Sequence, residues 1–158
     1  MTTRRGLAVH ARSLLANGRL KEAHARVDEL LAVDPGRLAP SNPDWCASLA
    51  IVLHDVARGG ELMVAVRKAH RANPWVLAAQ AIAKGEFTQA AAQYAAIGSR
   101  ADEAYARLRA GEQLALPSRE AEAIEQLKPA ADFFGRAGAL AYLSQAEDLL
   151  RRAGSKSL

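Results

Sequence analysis

The chain has 158 residues, half of them hydrophobic, yet only 5% are aromatic. Alanine makes up the difference, with 36 residues against 20 leucines. That balance excludes a β-sandwich or barrel, which needs Val, Ile, Thr and aromatic residues to pack its pleated faces. The apolar content excludes long disorder, and the single cysteine, Cys46, excludes a disulfide scaffold. The formal charge of +4 is of the size that keeps a small domain dissolved.

In chain order, helical spacing begins at once. Leu7, Leu14 and Leu15 recur at helical steps, Asn17-Gly18 reads as a helix stop, and Leu20, Ala23, Val27, Leu30 and Leu31 resume the pattern. Asp34-Pro35-Gly36 ends that second helix, because proline disfavours a helical residue before it. Ser41-Asn42-Pro43-Asp44 reads as a start, with a polar cap and proline near the first turn. The helix it opens meets Gly59-Gly60, and the next runs to Asn73-Pro74.

A third pair starts at Trp75, turns at Gly85 and continues through Phe87, Ala90, Tyr94 and Ile97 to Gly98. A fourth spans Asp102 to Leu116, turns at Pro117-Ser118 and runs from Arg119 to about Arg136. Pro129 falls inside this last helix and predicts a kink, since it removes a hydrogen bond and costs about 3 kcal/mol. Beyond Gly138, Leu140, Leu143, Ala146, Leu149 and Leu150 predict a final amphipathic helix. The expectation is an all-α chain, a single helical-repeat domain over residues 1–158. Its pairs cover residues 4–33, 42–73, 75–98 and 101–136, and a capping helix covers 139–153. Short loops make neighbouring helices antiparallel, and a pair every thirty-odd residues is the period of a right-handed superhelical stack.

Ala23, Leu62, Ala90 and Ala123 recur as equivalent positions at intervals of 39, 28 and 33 residues. On Gly18, Ala23, Val27 and Pro35, and again on Gly85-Glu86-Phe87, Ala90 and Tyr94, the chain resembles tetratricopeptide repeats. In that family a small residue ends the first helix, an aromatic opens the second, an alanine packs at the crossing and a proline closes the unit. Residues 75–153 carry a second likeness, through Asp102-Glu103-Ala104-Tyr105, Phe133-Phe134, Gly138-Ala139 and Tyr142. They are similar to the C-terminal repeat tail of bacterial cyclase-like and LuxR-type signalling ATPases. That likeness implies a sensing or regulatory tail without the catalytic or DNA-binding parts.

Chemistry-bearing residues are sparse. His54-Asp55, near Asp44 and facing Glu61 across the glycine turn, is the most site-like cluster. Adjacent helical residues point about 100° apart, however, so only one of the two easily faces a given point. Ser48 with that pair lacks the strained elbow and oxyanion hole of a hydrolase. No phosphate-binding glycine loop of the G-x-x-x-x-G-K-[ST] type occurs. The expectation is therefore no enzyme, no catalytic residues, no metal and no cofactor.

Arg67, Lys68, His70 and Arg71 read as cations answering a helix C-terminus, so nucleic acid is not expected as a partner. The longest apolar runs, residues 47–53 and 75–79, are too short to cross a membrane, and a cytoplasmic protein is expected. Carried over from the tetratricopeptide likeness, groove candidates for a protein or peptide partner are Arg5, Arg12, Asp44, His54, Asp55, Trp75, Tyr105 and Glu112. Trp, Tyr and Arg are the residues that most often anchor partners.

Overall fold

The computed structural model describes residues 3–32, 43–67, 73–116 and 118–156. Among them every regular element is a helix. The order is α1 (Arg4–Ala16), α2 (Leu20–Leu31), α3 (Pro43–Asp55), α4 (Gly59–Arg67), α5 (Pro74–Lys84), α6 (Phe87–Ile97), α7 (Arg100–Ala115), α8 (Glu120–Ala137) and α9 (Leu140–Lys156). The stop at Asp34-Pro35-Gly36, the cap at Ser41-Asn42 and the cations Lys68, His70 and Arg71 lie outside the described residues. The chain forms two compact units, Met1–Gly85 and Glu86–Leu158.

In the first unit α1 packs on α2 and on α3, and α3 packs on α4 and α5. The centre of this unit is α3. Residues 46–53 are all buried, without an exposed face. A helix apolar on every side belongs between other helices, and the run Cys-Ala-Ser-Leu-Ala-Ile-Val-Leu supplies that surface. The Cys46 thiol donates to the Trp75 carbonyl across α3 and α5 at 3.6 Å, so the cysteine is a packing residue. Asn73 and Pro74, read from sequence as the end of one repeat, open the next helix. The Asn73 side chain accepts from the Val76 N–H at 2.9 Å, and Pro74 sits where its missing N–H costs nothing.

In the second unit α6, α7, α8 and α9 pack in sequence, and α9 also reaches α7. Tyr105 and Tyr142 meet edge to face at 5.8 Å, and Phe134 lies 5.3 Å from Tyr142. Gly111 sits in the middle of α7 because Leu127 of α8 occupies the place of a side chain. A Cβ there would stand 2.4 Å from Leu127 Cγ. Pro129 does not divide α8, which runs continuously from Glu120 to Ala137.

The same joint recurs at six places among the described residues. The residue before the new helix's cap has a positive φ at Gly18, Ala57, Gly85, Gly98, Ser118 and Gly138, between 59° and 83°. After it, the N–H of Arg19, Arg58, Ser99, Arg119 and Ala139 reaches back to the carbonyl five residues earlier, at 2.7–3.2 Å. That bond satisfies one of the carbonyls left open at a helix end. Where the left-handed residue is Ala57 or Ser118, its Cβ carries a strain that glycine escapes.

Candidate functional site

Three of these joints carry a matching ion pair. The cap arginine reaches the glutamate three residues on, with Arg19 Nε to Glu22 at 2.6 Å, Arg58 Nε to Glu61 at 2.7 Å and Arg119 Nε to Glu122 at 2.7 Å. The next residue is in each case Ala23, Leu62 or Ala123, and its N–H bonds the arginine carbonyl at 2.9–3.2 Å. Each arginine, by its hydrogen bond and charge, holds its partner carboxyl below the ordinary carboxylate range. The joint at Gly85 has Glu86 and Gln89 in these places, and there too the Ala90 N–H bonds the Glu86 carbonyl. These pairs belong to the turns between helices, and exposed pairs of this kind contribute little stability. Sequence reading singled out Ala23, Leu62 and Ala123 but not the Arg-x-x-Glu that precedes each of them.

The expected groove residues fall on four helices, α1, α3, α5 and α7. On α1, Arg5 is exposed and Arg12 is half-buried, its Nη1 donating to Ser48 Oγ at 3.4 Å. Arg5 and Arg12 are two turns apart on one face, and Val9 between them is 49% exposed. Helix α1 carries Arg4, Arg5, His10 and Arg12 and no acidic residue. At the end of α3, His54 Nδ1 lies 3.4 Å from Asp55 Oδ1, and the Asp55 side chain is almost fully buried. Trp75 is half-buried at the start of α5, and Leu77 beyond it is 43% exposed. The side chain of Asp44 is outside the described residues.

The second unit holds the other two, and one of them is a correction. Tyr105 is 1% exposed and meets Tyr142 edge to face beneath the Arg109 guanidinium, which lies 5.2 Å from the Tyr105 ring centre. It is core, because α9 folds back over the face of α7 that sequence left open. Glu112 is exposed and pairs with Arg109 at 3.1 Å. Among the described residues no three His, Cys, Asp or Glu side chains gather as a metal site.

Charge divides unevenly between the two units. The first holds 12 Lys and Arg against 7 Asp and Glu, with all four histidines, whereas the second holds 9 against 10. Comparison with models of protein families, with curated proteins and with solved structures finds no match to this chain. Among the described residues no helix is long and apolar enough to cross a membrane.

Proposed function

We propose that this chain is a cytoplasmic protein-interaction module, a tetratricopeptide-like right-handed stack of antiparallel helix pairs whose first unit binds an acidic peptide. The stack is supported by the recurring joint and by the packing of first helices on one another, α1 on α3, α3 on α5 and α7 on α9. The observation that carries the binding reading is the face of α1, where exposed Val9 stands between Arg5 and Arg12 on a helix without acids. An aliphatic anchor rimmed by arginines suits an acidic segment with one apolar side chain. His54 and Trp75 lie on α3 and α5 of the same unit. The buried middle of α3 contributes support and no contacts.

Selection of displayed random peptides on the folded chain tests this. Enriched peptides should be rich in Asp and Glu around an aliphatic residue. Their affinity should fall about tenfold or more in the double variant R5E/R12E, and should weaken as salt rises. Enriched peptides indifferent to R5E/R12E would refute the assignment to α1. Equal, salt-sensitive binding of random duplex DNA through the same arginines would replace the peptide with nucleic acid.

A further inference from the structure

The second unit contains a cleft of about 210 Å³ between the first half of α7 and the second half of α8. The two helices run antiparallel here, with register fixed where Arg107 Nη1 donates to Gln126 Oε1 at 3.0 Å. Three arginines line the cleft: Arg100 and Arg107 from α7, and Arg136 from α8. Phe133, Pro129 and Ala104 form an apolar wall.

Two carboxylates also line it, each serving its own helix. Glu103 accepts from Arg107 Nε at 2.8 Å, and Asp132 pairs with Arg136 at 3.0 Å. Arg100 is exposed and pairs with no carboxylate among the described residues. It is also the first residue of a 16-residue helix, where the helix dipole adds positive potential. Three guanidinium groups against two carboxylates leave one positive charge uncompensated. A guanidinium fork is matched to the paired oxygens of a carboxylate or phosphate.

We propose that this cleft is a subsite for a single oxyanion head, a carboxylate or a phosphate, held by Arg100 and Arg136 with the ligand's apolar flank on Phe133. The volume accommodates such a head. The site belongs to the second unit and stands independently of the acidic-peptide face on α1.

Amide chemical shifts of the full chain are followed at constant ionic strength during titration with inorganic phosphate and, separately, with succinate. Saturable shifts are expected at Arg100, Ala104 and Phe133 with at least one of the two. The dissociation constant should rise about tenfold in R100Q and again in R136Q, each removing one charge-assisted contact. Both side chains are exposed, so circular dichroism of the variants should match the parent. The control K128Q, on α8 and outside the cleft lining, should bind as the parent does. Saturation by phosphate alone assigns a phosphate source, and saturation by succinate alone a carboxylate. Linear drift without saturation for both, or equal weakening in K128Q, overturns the proposal.

Discussion

Replacing Gly111 with alanine sets two opposing effects against each other at one atom. In an exposed helix the change should stabilise by about 1 kcal/mol, because alanine is the better helix former. Here the new Cβ would stand 2.4 Å from Leu127 Cγ and 2.6 Å from its Cδ2, against the 3.5–4.0 Å of a comfortable carbon contact. Leu127 is fully buried, and the closest atom is its branch point, so rotation of a chain end does not relieve the overlap. Overpacking a filled core costs about 1–3 kcal/mol, and this overlap belongs at the upper end. The net expectation is a loss of about 2 kcal/mol, or several degrees in melting temperature, read by urea and thermal denaturation at 222 nm. The decisive arm is the same change on a Leu127→Ala background. That background itself loses about 2–5 kcal/mol. There the Cβ enters vacated space, and Gly111→Ala should stabilise by about 1 kcal/mol. A stabilising Gly111→Ala in the parent, or the same sign in both backgrounds, would refute the close approach of α7 and α8.

Other outcomes follow from the joints and the core. Ala57→Gly and Ser118→Gly should each raise stability by about 0.5–1 kcal/mol, since a positive φ suits glycine, whereas Gly85→Val should cost at least about 1 kcal/mol. Denaturant midpoints of the three variants check both signs. Tyr105→Ala should lose about 3–5 kcal/mol with cooperative unfolding, as a buried aromatic does, and a near-neutral result would return Tyr105 to the surface. Glu22, Glu61 and Glu122 have carboxyls held below their unfolded-state values. Their contribution is fully present above the unfolded pKa and fades as pH falls through the lowered folded one. Replacing all three with glutamine should therefore flatten the acid limb of the stability–pH curve below about pH 4.5, most visibly at low salt, while leaving its slope near neutrality unchanged.

Much of the fold was legible in the chain because its signals are local. The spacing of Leu7, Leu14 and Leu15, the glycines at 18, 85, 98 and 138, and proline at 74 act over one or two turns, and the helices begin and end beside them. The joint after α3 was read from Gly59-Gly60, yet the left-handed residue is Ala57, because the motif is set by hydrogen bonds back to Leu53 and His54 and tolerates a strained alanine.

Exposure was a different matter. Sequence alone fixed that these segments are helices and which stripe of each is apolar. Only the tertiary structure decided which stripes are covered twice. Tyr105 sits on α7 at a position that a pair of helices leaves open, and α9 then closes over it. Residues 47–53 read only as a long apolar run, and α1, α4 and α5 pack around that helix so that every side of it is buried. The same holds for the arginines of the α7–α8 cleft, which lie 29 to 36 residues apart across the two helices and meet only when those helices pack. Helix formation is decided by neighbours within about four residues, whereas the composition of a surface is decided by which helices arrive beside it.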